Sequence, residues 1–251
     1  LLKTVNLALR TLKMFDDQNS TWGGRELAHE MGVNHTSLYR ILETLENNDF
    51  VRKDFETKRY SLGPAVWELG MRYYSQLNIE KVLRPLLDEL CHLTGESVFF
   101  TVLNKNEGLT LMVSEPENKV KFSVSEGSTA PLYVGASYRA ISAFLPEEQQ
   151  DEIIGGELTQ YTANTLVDAG DLKKELQKIR DNSWSLSQGE YTPDVNAIAV
   201  PVFVHKEVIG SLTISGPMYR FSEAHCMEVL PALKDLSDTF SSILTINNIE
   251  I

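Results

Sequence analysis

RELAHEMGVNHTSLYRILETLEN, residues 25–47, decides the fold of the first part of the chain. Two helical patterns meet at a glycine. The first, Arg25 to Met31, places Leu27, Ala28 and Met31 on one face, and the small Ala28 lets another helix cross closely. Gly32 ends it, because the residue past a helix end often takes a left-handed conformation. Val33 plugs the turn, and the Asn34 side chain is placed to accept a backbone N–H as an N-cap. The second pattern runs from His35 to Asn47 with Leu38, Ile41, Leu42 and Leu45 at i, i+3, i+4 and i+7. Helix, short turn and helix make a helix-turn-helix, whose second helix enters the DNA major groove. Arg40 is the only arginine on that helix; an arginine there forks onto guanine O6 and N7 or clamps a phosphate. His35, Thr36, Ser37 and Tyr39 stand at its leading end and Thr44 farther along, so these are the candidate base and backbone contacts. A plain helical hairpin with a solvated outer face fits the same spacing.

Working outward, residues 3–15 read as a first helix with two apolar stripes. Val5, Ala8, Leu9, Leu12 and Phe15 form one, expected to join the core; Leu7, Thr11 and Met14 form the other, suited to a second protomer or to the same domain. Residues 16–24 are polar and turn-rich. Downstream, residues 50–54 and 59–62 read as two short strands around a turn at 55–58, which is a wing. Lys53, Lys58 and Arg59 put positive charge near its tip, where a phosphate or minor groove would lie. Those charges equally suit a solvated turn.

The combination of Leu27-Ala28, Met31-Gly32-Val33, Thr36 to Leu42, Phe50-Val51-Arg52, Asp54, Thr57 and Arg59-Tyr60 with Leu62-Gly63 resembles the head of the IclR family of bacterial transcriptional regulators. Two departures stand out. His35 occupies a position where many members have lysine, weakening a phosphate contact at neutral pH, and Lys58 one where many have glycine.

Length and charge agree with that reading. The 251 residues suit two domains, and 42% hydrophobic with 23% charged residues is the mix of an ordinary globular protein. The formal charge of -12 argues against nucleic acid only until it is localised. Residues 1–79 hold 10 of the 23 Lys+Arg and 10 of the 35 Asp+Glu, leaving 13 basic and 25 acidic residues to carry the whole deficit. A neutral head binds DNA if its cations gather on one face. Cys91 and Cys226 make no disulfide framework, no apolar run reaches the ~18 residues of a membrane span, and the start lacks a signal-peptide pattern. A cytoplasmic location is the expectation.

After the wing, Gly63-Pro64 opens a connector helix to about Leu77 carrying Val66, Leu69, Gly70, Tyr73 and Tyr74. A further helix, Ile79 to Thr94, turns Val82, Leu83, Leu86, Leu87 and Leu90 inward. Strand-like runs follow at 97–103, 109–114 and 120–124, helical patterns at 137–144, 147–154 and 172–181, then strands at 184–190, 197–204 and 208–215 and a last helix at 223–244. Strands in two groups with helices between them give an α+β class with a mostly antiparallel sheet. The expected organisation is a winged helix-turn-helix domain at 1–63, a linker helix at 64–78 and an effector domain at 79–251.

The resemblance continues through this half, in Leu93 to Val98, Pro131-Leu132, Ala136-Ser137, Ala143 to Pro146, Gly189-Glu190, Ala197 to Phe203 and Ser215-Gly216-Pro217, which look like the IclR effector domain. That implies a GAF-like fold with a small-molecule pocket, its wall formed by Leu132, Gly135, Ala136, Ser137, Ser187, Ala197, Thr213 and Ser215, and a small organic acid as effector. The residues suit the role. Gly135 and Ala136 allow close backbone approach, Ser137 is placed to cap a helix whose free N–H groups favour a carboxylate, and Thr213 and Ser215 face one side of a strand. The sequence departs from the family at Gly135, Tyr138, Arg139, Asp194 and Ala197; Tyr138 either shrinks the pocket or points outward.

No chemistry-bearing motif competes. The histidines form no HxH or HExxH pattern, and no GxSxG, P-loop or GxGxxG run occurs, so no catalytic residue, metal or cofactor is assigned. Glu190, at a strand end, is the one candidate carboxylate for an enzyme. Three readings remain: a metabolite-responsive regulator binding a double-stranded DNA operator as a homodimer or dimer of dimers, an enzyme, and a metabolite-binding protein without a DNA role. The first is the expectation.

Overall fold

The computed structural model describes residues 2–16, 19–76 and 80–246, with side chains of 73–76 left out. The chain divides into two compact units, Leu1–Leu77 and Asn78–Ile251.

The first unit holds α1 (Lys3–Leu12), β1 (Trp22–Gly23), α2 (Gly24–Glu30), α3 (His35–Asn47), β2 (Val51–Lys53), β3 (Arg59–Leu62) and α4 (Pro64–Gln76). Its core is Leu27, Ala28, Leu38, Leu42, Val51 and Tyr60 with Phe15, Trp22 and their neighbours. Gly32 sits at φ +63, the left-handed turn between the helices, and the Asn34 carboxamide oxygen accepts from Thr36 N at 2.9 Å and Ser37 N at 3.4 Å. Such a cap stabilises a helix by about 1 kcal/mol. Three strands pair antiparallel in the order β1-β3-β2. The first strand, with Trp22 opposite Tyr60, is too short for an alternation to announce it.

The first helix differs from expectation in length and in face. It ends at Leu12, and Val5 and Leu9 of the first stripe are exposed at 52% and 56%; Ala8, Leu12 and Phe15 of that stripe join the core together with Leu7 and Met14 of the second, beside a fully buried Thr11. Thr11 can be buried because its hydroxyl donates to the Leu7 carbonyl at 2.8 Å, leaving a methyl to pack. Beyond the helix end, Trp22 Nε1 donates to the Met14 carbonyl at 2.7 Å. The fourth helix leaves Trp67, Leu69 and Met71 exposed. The expected helix end at Leu77 and helix start at Ile79 lie outside the described residues, as do the side chains of Tyr73 and Tyr74.

The second unit holds α5 (Glu80–Thr94), β4 (Ser97–Asn104), β5 (Glu107–Ser114), β6 (Thr129–Pro131), α6 (Gly135–Ser142), α7 (Glu147–Ile154), α8 (Ala169–Asn182), β7 (Ser185–Gln188), β8 (Val195–Val204), β9 (Glu207–Pro217) and α9 (Glu223–Ile246). Six strands form one antiparallel sheet in the order β6-β5-β4-β9-β8-β7. α6 packs on β7, β8 and β9, while α9 packs on β8 and β9. Val82 of α5 is exposed rather than core-facing; Leu83, Leu87 and Leu90 carry the buried face.

Residues 120–124 are not a strand, and the sheet edge is taken by β6 instead. Side chains satisfy this segment's backbone in place of a ladder. Ser97 Oγ donates to the Phe122 carbonyl, both Arg220 η-nitrogens donate to the Val120 carbonyl at 3.2 Å, and Glu126 Oε1 accepts from Val113 N at 3.0 Å and Arg84 at 2.7 Å. α6 begins two residues before Ser137, and α8 three before Leu172, where the Asp168 carboxylate caps it by accepting from Asp171 N at 2.9 Å.

Candidate functional site

α3 buries Leu38, Ile41, Leu42 and Leu45, which turns His35, Thr36, Ser37, Tyr39, Arg40 and Thr44 outward, all exposed. Arg25 at the start of α2 lines the same surface beside His35, Tyr39 and Arg40. On the other flank Lys3 and Thr4 of α1 meet Ser37, Arg40 and Thr44. Arg40 therefore stands between two further cations that spacing along α3 does not reveal. Among the described residues Glu43 is the carboxylate that lines both of these surfaces. Thr44 already donates its hydroxyl to the Arg40 carbonyl at 2.8 Å, which straightens that side chain against the helix.

The wing cations have separate fates. Lys53 lies 5.3 Å from the Tyr60 ring centroid, and Tyr60, Glu46 and Tyr39 hold its ammonium above the usual lysine range. Lys58 occupies the left-handed region at φ +59, the conformation glycine adopts without cost. Arg59 is tethered along the surface: Nε donates to Thr21 Oγ1 at 3.0 Å, one η-nitrogen to the Thr21 carbonyl at 2.8 Å, and the other pairs with Glu26 at 3.0 Å. Its guanidinium staples β3 to the start of α2, and a phosphate would compete with these partners for it.

In the second unit a cavity lies between the sheet and the first turn of α6. It gathers Gly135, Ala136 and Ser137 from α6, Ser187 from β7, Ala197 from β8, and Thr213 and Ser215 from β9. Register explains the sheet side: Ala197 pairs with Ser187 and Ser215, so all three share one face. Leu132 is not among the lining residues. Its side chain packs with Ala130, Tyr138, Ile141 and Leu145, because it precedes the turn into α6 and faces the β5–β6 edge.

Sequence spacing also missed the aromatic wall. Phe99 pairs with Thr213 across the β4–β9 ladder, and its ring centroid lies 6.2 Å from that of Phe122. Tyr138 forms an edge-on contact with Tyr191 at 6.5 Å. Of its two expected directions Tyr138 takes the inward one; it is buried, and burial pushes its phenol up to about 12. Its ring fills the space over Gly108, where a side chain would overlap it. Val124, Thr192 and Val195 complete the lining.

The helix start is built without a side-chain cap. Gly135 adopts φ +75, and the N-cap is Val134. Ser137 does not cap. Its hydroxyl donates to Thr101 Oγ1 at 2.8 Å and lies 3.0 Å from Ser211 Oγ, which donates to the Ser137 carbonyl at 2.8 Å. The first N–H groups of α6 have no intrahelical partner by construction, and an anion is their natural acceptor. Ser215 Oγ donates to the Asn196 carbonyl at 3.0 Å, whereas the buried Thr213 Oγ1 has no hydrogen-bond partner among the described residues. Among the described residues no charged side chain lines the cavity. Glu190, the candidate catalytic carboxylate, instead pairs through both oxygens with the buried Arg139 of α6. Among the described residues no group of three His, Cys, Asp or Glu is placed to hold a metal ion, and no helix is long and apolar enough to cross a membrane.

Comparison with known proteins follows the same division. Residues 5–54 match the IclR helix-turn-helix domain model and residues 71–242 the bacterial transcriptional regulator IclR C-terminal model. The HTH-type transcriptional regulator KipR of Bacillus subtilis (strain 168) is 30% identical over 235 residues, covering 93% of each chain. The crystal structure of an IclR transcriptional regulator from Alicyclobacillus acidocaldarius superposes with a TM-score of 0.86 at 28% identity, covering 96% of this chain and 98% of that one. An IclR homologue from Microbacterium hydrocarbonoxydans, solved in complex with 4-hydroxybenzoate, shares the fold at 18% identity and a TM-score of 0.79, covering 95% and 98%. This chain belongs to the IclR family of bacterial transcriptional regulators, with a helix-turn-helix head and an effector-binding C-terminal domain.

Proposed function

We propose that the head, residues 1–63, reads operator DNA with α3, that residues 64–78 link it to a sensor at 79–251, and that the sensor's cavity binds a small organic acid with a flat, apolar body. The unpartnered Thr213 hydroxyl beside the first turn of α6 carries the reading. A carboxylate there accepts from the helix N–H groups and from Thr213, and the walls of Phe99, Phe122, Tyr138 and Tyr191 suit a ring. No lining cation is needed, and an amine would find no counter-charge. The ligand of the Microbacterium homologue, 4-hydroxybenzoate, belongs to this chemical class.

On the DNA side, His35, Thr36, Ser37, Tyr39, Arg40 and Thr44 reach base edges and neighbouring phosphates, with Lys53 and Lys58 on the wing. Arg59 positions the wing. The protein acts as a homodimer in the cytoplasm, where its operator is; exposed Leu2, Val5 and Leu9 on α1 and Trp67, Leu69 and Met71 on α4 favour burial against a second copy. No catalytic role is assigned.

A thermal-shift screen of monocarboxylates, with benzoate and 4-hydroxybenzoate as probes, tests the sensor. A bound probe at about 100 times its Kd adds about 2.7 kcal/mol of stability. Stabilisation by amines or sugars with none from any carboxylate would overturn the acid assignment.

A further inference from the structure

The turn joining β2 to β3 is built to hold one side chain away from the protein. Asp54 Oδ1 accepts from Glu56 N at 3.1 Å, Thr57 N at 2.6 Å and Thr57 Oγ1 at 2.7 Å, and these bonds hold the Asp54 carboxyl below its usual range. Asp54 N donates to the Arg59 carbonyl at 2.8 Å, and Lys58 N to the Asp54 carbonyl at 3.0 Å. These bonds, with the ladder on either side, fix the course of the turn. Phe55 stands at its apex with 83% of its surface exposed, more than any other large hydrophobic residue among those described. A phenylalanine gains nothing from water and contributes nothing to this turn. Its partner must come from outside the head.

The surroundings identify that partner. Lys53 and Lys58 flank the apex; Arg59 of the wing pairs with Gly23 across the β1–β3 ladder, and the Tyr39 ring of α3 lies against the adjoining Gly24. The wing strand and the outward face of α3 therefore lie on the same side of the head. Asp54 spends its carboxylate on the turn, which leaves Glu56 as the one acidic side chain at the tip with no bond of its own there. An apolar tip between two lysines, beside a helix shaped for the major groove, fits a polyanion with an apolar crevice.

We propose that Phe55 is an apolar wedge that enters the DNA minor groove next to the major groove read by α3, packing on sugars and prising open one base step. The proposal rests on the DNA-binding reading of the head. Partial unstacking at such a step is easiest at pyrimidine–purine steps, so the wedge adds sequence preference outside the bases that α3 touches.

The test uses the full-length protein and duplexes that it enriches from a random-sequence pool, with 2-aminopurine placed in turn at each step flanking the α3 contact. Wild type should raise 2-aminopurine fluorescence at one step per half-site. Phe55→Ala should bind about tenfold more weakly, with an unchanged salt slope because no charge is lost, and should abolish the fluorescence rise. Phe55→Leu, still an apolar wedge, should keep most of the affinity, and Glu56→Gln should bind more tightly than wild type. Phe55→Ala within twofold of wild type, while Arg40→Ala binds weakly, would overturn the wedge and leave the DNA reading standing. So would a fluorescence rise that survives in Phe55→Ala, or a variant changed only in oligomeric state, which would make Phe55 a protein contact. If wild type enriches no sequence, the DNA reading and the wedge fall together.

Discussion

Arg139 and Glu190 face each other with both prongs of the guanidinium on both carboxylate oxygens, and the arginine is 1% exposed. Arg139 also donates to the Leu186 carbonyl at 2.8 Å. The pair joins α6, whose first turn lines the cavity, to the loop carrying Tyr191 and Thr192. Thr162 and Thr165 hydroxyls donate to the Glu190 carbonyl at 3.1 and 2.7 Å and fasten the same loop from behind. Breaking a buried pair from one side leaves a bare charge in the interior, which costs about 3–5 kcal/mol. Glu190→Gln should therefore lower stability by a few kcal/mol and weaken benzoate-type ligands, as read by urea denaturation and calorimetry. A variant as stable as wild type would show that the pair is solvated in solution.

Thr213→Val separates binding from folding. The buried hydroxyl has no partner to lose, so an isosteric valine should leave stability unchanged or raise it by about 1 kcal/mol. Carboxylate binding should weaken about tenfold, the worth of one hydrogen bond to a charged group. Calorimetry with whichever carboxylate stabilises wild type decides it; equal affinity in the two proteins would place the acid group elsewhere.

Alkaline stability follows from Tyr138. Its phenol is pushed up to about 12 when folded, against 10.0 for the ordinary group. The folded state thus holds this proton more tightly than the unfolded chain. Its contribution is fully present below pH 10 and is lost as pH rises from about 10 to 12, on the order of 2–3 kcal/mol in all. Tyr138→Phe should flatten that part of the stability–pH curve. An identical alkaline slope in both proteins counts against the burial described here.

Arg40→Ala should cost about 1–3 kcal/mol of operator affinity and relax preference at one base pair. Arg25→Ala and Lys3→Ala, on the flanks of Arg40, should weaken all sequences alike and each lower the salt slope by about one unit. Affinity measured against salt on specific and scrambled duplexes distinguishes the two patterns. A change in base preference in Arg25→Ala would move it to the reading group.

Lys58 carries a side chain in a conformation that costs most residues about 1–2 kcal/mol. Lys58→Gly relieves that strain, with part of the gain offset by the extra freedom of an unfolded glycine. The head should become more stable by about 0.5–1 kcal/mol while DNA binding weakens through the lost charge. A less stable variant would mean that the Lys58 side chain itself holds the wing.

The helix-turn-helix was readable because every determinant is local: the Leu38/Ile41/Leu42/Leu45 stripe, Gly32 in its left-handed turn and the Asn34 cap lie within fifteen residues. On α1 the spacing marked both stripes but could not decide between a second protomer and the same domain; Leu7 and Met14 pack on the core of their own domain, with the Thr11 hydroxyl bonded to the Leu7 carbonyl. At 120–124 an apolar alternation suggested a strand, but Ser97 and Arg220 arrive from distant positions to satisfy the segment without a ladder. Most of the small and hydroxylic cavity residues lay in motifs of the family. The rings of Phe99, Phe122 and Tyr191 did not, since only strand pairing and loop packing bring them to the same space. The tethering of Arg59 was equally invisible, because Thr21 and Glu26 are its neighbours only after β1 pairs with β3.

The cavity's two kinds of wall have different tolerances. Ser137, Thr101 and Ser211 are knotted to one another beneath α6, and altering one strands the others' hydrogen bonds in the interior. Phe122, Val124, Tyr191 and Thr192 sit on segments outside the sheet, where the anchoring is done by other residues, Arg220, Glu126, Arg139 and Glu190. Selectivity can drift at these four positions without disturbing the scaffold that carries them. A combinatorial library confined to them is the economical route to biosensors for new analytes.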